Sequence, residues 1–327
     1  MNKWLQALLA VVALVGCAGD DPQQSQDTEK GTAVQQEVAA KYMNEEGFIH
    51  AYPDKQDSAY LSESIGLYMQ YLVEAGDAEA FAGQFRRLQE AFITEEQGGT
   101  FVRWVLYENS NVNALIDDMR LIRVLREGAE RFGEPAYREL ADRLASTLLR
   151  LQQTESYPVD YYDWSIGQPA QRITLSYLID DPSGTVGGQD LLENVDETEL
   201  FFPEYYDFQQ GNYVKNDEVH MIDQLLIAIN RADKGLSSDR FDDWLLTEWN
   251  TEGKVFGRYD RNSLQATVPY ESLAVYYFLQ AYFERIGEPE LAEEVTANVR
   301  VIASEHDEDA LHFFDYIHYQ LLLQKKD

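Results

Sequence analysis

The polar and apolar positions of the chain repeat with the spacing of amphipathic helices. In DSAYLSESIGLYMQYLVEAGD, residues 57–77, apolar side chains recur at positions 61, 65, 69 and 72, and Gly76 ends the run. Similar stripes lie at positions 119, 122, 125 and 132, and at 221, 225 and 229. Spacings of three and four residues place side chains on one helical face. The sequence therefore predicts an all-α fold.

The turns between these helices form a repeat. EAGDAEAF, RFGEPAYREL and RIGEPELAEE each contain a glycine that ends one helix, and Ala or Pro then opens the next. Gly76, Gly133, Gly184, Gly235 and Gly287 follow one another at intervals of about 50 residues, which predicts five helical hairpins. Gly184 is the weakest member, because DDPSGTVGG resembles a longer loop.

The two chain ends, residues 32–43 and 309–323, can form a sixth hairpin and close a ring. A closed ring of six αα-hairpins is the (α/α)6 toroid, in which inner helices line a funnel and loops at one end build the active site. An open α-solenoid shares the repeat length, but it does not require its ends to pair. We favour the closed toroid.

The first residues resemble a bacterial lipoprotein signal. Lys3 precedes a short apolar stretch, and LVGC at residues 14–17 resembles a lipobox, after which Cys17 becomes the lipidated N-terminus. The alternative is a chance cysteine after an ordinary signal peptide; either way no intramolecular disulfide is possible, because Cys17 is the only cysteine. We predict a signal peptide at 1–17, a flexible tether at 18–37 and a single domain at 38–327, held outside the cell membrane by its lipid.

The chain is strongly acidic. Its 26 Lys and Arg residues stand against 58 Asp and Glu residues, a formal net charge of −32. Such a body repels phosphate backbones and anionic lipids, so we expect no nucleic-acid partner and no membrane attachment besides the lipid. The acidity suits a saline or alkaline habitat, and binding of a cationic substrate is the alternative.

Several kinds of chemistry lack their usual residues. The 5 histidines include no i, i+4 pair and the only thiol is Cys17, so we expect no metal and no cofactor. There is no GxSxG elbow and no glycine-rich phosphate loop. Carboxylates at the starts of predicted helices remain: Glu63, Asp117, Asp118 and Asp223. Compensation of a helix dipole is the simpler explanation for Glu63, and a structural hydrogen bond is the alternative for Asp223.

Two segments carry a resemblance to glycoside hydrolase family 8. SESIGLYM, residues 62–69, is similar to the SEGxGYGM-type segment of that family, and FVRWVLYENSNVNALIDDMRLI, residues 101–122, resembles its later segment, an AW pair followed by ATDADxDIA. ITLSYLID, FPEYYDF, DEVHMIDQLLIA, GRYDR and VPYESLAVYYFL resemble family-8-like lipoproteins and secreted hydrolases encoded with bacterial exopolysaccharide synthesis genes. Together the matches cover residues 47–324.

The resemblance implies roles for individual residues. Glu63 matches the general acid, Trp104 the family's tryptophan, and Asp117 or Asp118 its sugar-binding aspartates. The family's general base is an aspartate in a YDAxRVP segment, whereas the nearest equivalent here, SLQATVP, has Leu264 at that position.

Two consequences of the missing aspartate stay open. Either another carboxylate activates the water, with Asp223 as our first choice, or the protein binds glycan without cutting it. An inverting glycosidase holds its acid and its base about 6.5–9.5 Å apart. Further candidates for sugar binding are Tyr205, Tyr206, Arg258 and Tyr259. For each aromatic residue, core packing is the alternative.

We therefore predict a monomeric, inverting, endo-acting glycoside hydrolase that cleaves a β-linked bacterial exopolysaccharide outside the membrane. The first alternative is a non-catalytic glycan-binding lipoprotein of an exopolysaccharide synthesis complex. The second is a polysaccharide lyase on the same toroid, which would need a Tyr or His base and an Arg near a uronate.

Overall fold

The computed structural model describes residues 33–53, 58–106, 110–179, 187–305 and 311–324. The predicted signal peptide, Cys17 and most of the predicted tether lie outside these residues. The α-helices are α1 Ser62–Ala75, α2 Ala78–Arg87, α3 Leu115–Phe132, α4 Pro135–Leu151, α5 Asp190–Glu193, α6 Met221–Asp233, α7 Asp239–Glu252, α8 Leu273–Arg285, α9 Pro289–Glu305 and α10 Phe313–Gln324. Shorter helical turns are the π-helical Val38–Tyr42 and Leu88–Phe92 and the 3₁₀-helical Leu175–Tyr177.

The helices form an inner and an outer layer. Helices α1 and α8 are buried on nearly all sides, whereas α2, α4 and α7 bury one face and expose the other. Around the ring, α1 packs against α3, α6 against α8, α8 against α10, and α10 against α1. The 3₁₀ turn Leu175–Tyr177 packs against α6 and substitutes for an inner helix between α3 and α6. The predicted all-α (α/α)6 toroid is confirmed.

The two chain ends close the ring, as the sixth hairpin requires. The Tyr42 and Phe313 rings lie 5.2 Å apart, and the Tyr316 hydroxyl donates a hydrogen bond of 2.9 Å to the Glu37 carboxylate. The chain is already helical at residue 33, five residues before the predicted domain boundary at residue 38. Residues 33–37 belong to the folded domain.

The third repeat differs from the helical prediction. Between α4 and α6 the chain forms short strands and the single turn α5, while Gly184 lies outside the described residues. Aromatic and polar residues alternate here, and tight turns form at Gly167 and Gly211, each with a φ of 67°. These features favour β-hairpins over helices. The wall of the ring is therefore β-rich at this position.

The strands pair in short antiparallel ladders. The pairs are β1 Ile93–Glu96 with β2 Gly99–Val102, β3 Gln153–Thr154 with β4 Tyr157–Pro158, β5 Tyr162–Asp163 with β6 Gln168–Pro169, the three-stranded β7 Arg172–Thr174, β8 Tyr205–Asp207 and β9 Asn212–Val214, and β10 Glu218–His220 with β11 Arg258–Asp260. In the last pair His220 lies opposite Arg258, and His220 is also the N-cap residue of α6. This hairpin therefore fixes the side chains at the start of α6.

Two predicted glycine turns end inner helices. Gly76 and Gly133 have φ angles of 76° and 74°, a left-handed conformation that residues with a Cβ adopt only at a cost. The apolar stripes face inward as predicted, with Leu72, Leu125 and Leu225 fully buried in one continuous core.

Candidate active site

A cleft of about 310 Å³ opens where inner helices begin. It is lined by Glu63, His220, Ile222, Gly257, Tyr270, Ser272, Val275, His312, Phe314 and Asp315. These residues include the first turns or caps of α1, α6, α8 and α10. The positive ends of four helix dipoles therefore lie around this cleft.

Glu63 faces this cleft from the first turn of α1, with most of its surface buried. Ser62 and Ser64, which flank it, are both buried. The Glu63 carboxyl makes no hydrogen bond or ion pair with any described residue. Its place in the first turn still allows it to compensate the helix dipole, and its position at an open cleft also makes it accessible to a bound molecule.

The environment of Glu63 favours its protonated form. Burial, with a smaller contribution from the nearby Asp117 carboxylate, raises the pKa of Glu63 from 4.5 to about 7. Arg120 opposes this shift, while Asp315 adds to it. Glu63 is therefore largely protonated just below neutral pH, as a proton donor must be.

Asp117 lies beneath Glu63 rather than in the cleft. It accepts hydrogen bonds from Ser62 Oγ at 3.0 Å and from Arg120 Nη1 at 2.8 Å. Only 3% of Asp117 is exposed and it does not line the cleft, so its direct contact with sugar stays a prediction. Its position gives it an electrostatic influence on Glu63.

Asp118 belongs to a buried polar network. Asn113 Nδ2 donates to Asp118 Oδ2 and also to Gln152 Oε1, the latter at 2.5 Å. Burial raises the pKa of Asp118 well above its usual value, and Asp118 Oδ1 has no hydrogen-bond partner among the described residues. Asp118 is 2% exposed, and its sugar contact likewise stays a prediction.

Asp223 lies in the first turn of α6, as the sequence predicts. Ser176 Oγ donates a hydrogen bond of 2.8 Å to its Oδ1, and His220 Nδ1 lies 3.7 Å from its Oδ2. The Asp223 side chain is 36% exposed. Both the predicted structural hydrogen bond and a solvent-accessible carboxylate are therefore present in one residue.

Tyr177 is a residue of the site that sequence reasoning missed. Burial raises its pKa, and so do the carboxylates of Asp160, Asp223, Asp117 and Glu63. These acids come from separate segments of the chain, so Tyr177 lies among the groups that the ring brings together. Its position in ITLSYLID, within a segment quoted for the family resemblance, was the available signal.

Asp315 and His312 were also missed, although both line the cleft. Asp315 Oδ1 accepts from Ser272 Oγ at 2.5 Å and from the Ala274 N–H at 3.0 Å, which ties α10 to the start of α8. His312 Nδ1 accepts from the Phe314 N–H at 3.0 Å, and burial lowers the pKa of His312. Asp315 lies in the first turn of the last helix and His312 directly precedes that helix, which only ring closure brings next to α1.

The aromatic candidates differ in exposure. Trp104 is 45% exposed, and its carbonyl accepts from the Ser62 N–H at 3.0 Å, so it lies directly beside the start of α1. Tyr270, which the sequence reasoning missed, is 49% exposed in the cleft lining. Tyr205 is half-buried beneath the Arg172 guanidinium, and Tyr206 packs against Phe208 and Tyr213.

Two other expectations concern the β10–β11 region. Tyr259 is fully buried and its hydroxyl donates to Glu248 at 2.9 Å, an environment that fits the core-packing alternative. Arg258 is half-exposed, but its Nη1 donates to Glu218 at 2.7 Å. Leu264 has a φ of 60° in the turn after β11, and its partly buried side chain packs against the core.

Among the described residues, no group of three or more His, Cys, Asp or Glu side chains could hold a metal ion. Within that same part of the chain, none of the helices combines the length and apolar character needed to span a bilayer.

The chain belongs to the same family as PssZ, and its ring has the fold of the family 8 glycosyl hydrolases. PssZ from Listeria monocytogenes is 33% identical, with a TM-score of 0.82 over 90% of this chain and 94% of PssZ. YdaJ of Bacillus subtilis, named as a lipoprotein, is 29% identical over 82% of this chain and 78% of YdaJ. No family model matches the chain.

Two more distant structures share the fold alone. An α-amylase from Clostridium perfringens is 22% identical, with a TM-score of 0.76 over 92% of this chain and 98% of its own. Endoglucanase Cel10 from Klebsiella pneumoniae, a family 8 glycosyl hydrolase, is 13% identical, with a TM-score of 0.64 over 90% of this chain and 99% of its own.

Proposed function

We propose that the protein is an inverting, endo-acting glycoside hydrolase that cleaves a β-linked bacterial exopolysaccharide, with Glu63 as general acid. The observation that carries the proposal is the state of Glu63. Its carboxyl borders an open cleft, has no partner among the described residues, and has a pKa raised to about 7. A buried carboxyl without a partner costs stability, so its retention at a cleft favours a catalytic role.

In the proposed reaction Glu63 protonates the glycosidic oxygen as the bond to the anomeric carbon breaks. Water attacks the opposite face of the sugar, and a base removes its proton. Asp223 is the carboxylate that the sequence predicts as general base. Ser176 donates a hydrogen bond to it, and its side chain is partly exposed. Asp315 also lines the cleft, but its Oδ1 already accepts two hydrogen bonds that hold the start of α8.

Sugar binding is assigned to exposed aromatic rings beside the cleft. Trp104 and Tyr270 offer open faces that can stack on sugar rings. Tyr205, Tyr206 and Arg258 remain predictions, each already engaged by a protein neighbour. An open cleft rather than a closed pocket suits attack within a long chain.

The direct test is release of reducing ends from purified exopolysaccharide of the producing organism. We expect products with the wild-type protein and a loss of at least about 10²-fold with Glu63→Gln, the usual contribution of a general acid. The matched control is Glu74→Gln, an exposed acid on the same helix. Absence of products with the wild type, or equal products with Glu63→Gln, would refute the proposal.

A non-catalytic glycan-binding protein is the second candidate, favoured by one observation. In the nearest equivalent of the family's general-base segment Leu264 stands in place of the aspartate, and its partly buried side chain packs against the core. This candidate expects saturable binding without turnover, and binding that survives Glu63→Gln. Ultraviolet absorbance of an unsaturated product distinguishes a lyase from both.

We further propose that the protein acts as a monomer outside the cell, anchored by lipid on Cys17. The lipobox at residues 14–17 and the likeness to YdaJ support the anchor. Labelling with radioactive palmitate should mark the wild-type protein and leave Cys17→Ser unlabelled. Light scattering of the protein without its first 17 residues tests the monomer.

A further inference from the structure

The side of the cleft formed by α6 presents an imidazole as well as a carboxylate. His220 lines the same cleft as Glu63 and caps α6 from the end of β10. Asp223 follows one turn later and does not itself line the cleft. The group nearest to a bound sugar on this side is therefore the His220 ring.

The two nitrogens of His220 have different surroundings. Nδ1 is buried without a hydrogen-bond partner in the described part of the chain, and Asp223 Oδ2 is the carboxylate facing it, at 3.7 Å. The side chain as a whole is 41% exposed, so the open edge of the ring is the one that carries Nε2. A contact of this length can shorten when substrate binds and excludes water.

We propose that His220 and Asp223 form a catalytic dyad in which His220 is the general base. His220 Nε2 removes the proton from the attacking water. This inference rests on the proposed hydrolase function and deepens it. Asp223 holds the Nδ1 proton and stabilises the imidazolium that forms, and Ser176 holds Asp223 in place. The dyad supplies the base that is missing at Leu264.

The charges around His220 suit this role. Burial lowers its pKa, so the ring is neutral and can accept a proton at neutral pH. The Asp223 carboxylate raises the pKa of His220, and the Glu218 and Asp315 carboxylates do the same. Arg258 on β11 lowers it. The remaining titratable groups that line the cleft are Glu63, Tyr270 and His312. The cost of forming a buried imidazolium is thus offset mainly by the adjacent Asp223 carboxylate.

The proton balance closes over one turnover. The water oxygen bonds to the anomeric carbon and its proton passes to His220 Nε2, while the glycosidic bond breaks and the leaving oxygen takes the Glu63 proton. Afterwards the imidazolium releases its proton to solvent and the Glu63 carboxylate takes one up. No oxidant, metal or further reactant is required.

The second histidine of the cleft provides a matched control. His312 Nδ1 already accepts the Phe314 N–H, so no carboxylate holds a proton there, and its ring cannot act in the same way. Both histidines are partly exposed and line the same cleft. His220→Gln and His312→Gln therefore differ chiefly in the proposed pairing with Asp223.

The experiment measures kcat and kcat/KM for reducing-end release from purified host exopolysaccharide between about pH 4 and pH 9, where both limbs of a bell-shaped profile should appear. His220→Gln should lower kcat by about 10²–10⁴-fold and abolish the acidic limb. His312→Gln should keep both limbs. Asp223→Asn should cost much less in the His220→Gln background than alone, because residues that act as a unit are not additive.

The pairing of His220 with Asp223 can also be tested in the wild-type protein, so the test does not depend on whether a variant folds. The nitrogen chemical shifts of wild-type His220 should show the neutral ring protonated at Nδ1. Protonation at Nε2, or a His220→Gln variant that keeps its acidic limb and its kcat, would overturn the dyad while leaving a Glu63-dependent hydrolase intact. If the wild type releases no reducing ends, the proposed function fails, and the nitrogen shifts alone decide whether the His220–Asp223 pairing exists.

Discussion

Replacing Glu63 by glutamine should stabilise the protein above neutral pH while removing its activity. Burial and the Asp117 carboxylate raise the pKa of Glu63 from 4.5 to about 7. At 1.36 kcal/mol per pKa unit, this difference corresponds to about 3 kcal/mol of unfolding free energy. Below pH 4.5 the carboxyl is protonated in both the folded and the unfolded chain. As the pH rises from there through about 7, the unfolded chain ionises first, and the folded state loses this stability.

The assay is urea unfolding of the wild type and of Glu63→Gln at about pH 4.5 and at about pH 8, on either side of the window set by the two pKa values. The variant should be more stable at the higher pH by up to about 3 kcal/mol and nearly equal at the lower pH. Glu74→Gln, exposed on the same helix, should show no such pH-dependent gain. A gain that is absent, or that is the same at both pH values, would contradict the assigned environment of Glu63.

Three further predictions follow from the site and its support. Trp104→Ala should raise KM up to about tenfold with little change in kcat, because an exposed stacking face contributes about 0.5–1.5 kcal/mol; steady-state kinetics on the host exopolysaccharide check this. Arg120→Gln should move the basic limb of the pH profile, set by Glu63, to higher pH, and should destabilise the fold by about 3–5 kcal/mol by breaking a buried ion pair. Gly128→Ala should destabilise by about 1–3 kcal/mol, since its Cβ would lie 2.6 Å from a phenylalanine ring, whereas Gly66→Ala meets only ordinary contacts at 3.5 Å and should be tolerated; thermal unfolding compares the two.

Sequence patterns predicted most of the helical architecture because their signals are local. An amphipathic stripe and a terminal glycine specify a helix from neighbouring residues alone, as α1 and its cap at Gly76 show. The third repeat was predicted as a helical hairpin but is β-rich. The spacing of glycines does not distinguish a helical hairpin from strands that span a similar length of chain. Closure of the ring was predicted from the chain ends, residues 32–43 and 309–323, where helical segments are present from residue 33 and from residue 313.

The sequence by itself determined the helices, their turns and the position of Glu63 in a first turn, since each depends on residues a few positions apart. Only the tertiary structure decided what each candidate side chain can do. Asp117, 55 positions after Ser62 and hydrogen-bonded to it, is a buried neighbour of Glu63. Tyr259 went into the core, while Asp315 entered the cleft from the far end of the chain. Burial and electrostatic surroundings come from segments remote in sequence, and no local pattern contains them.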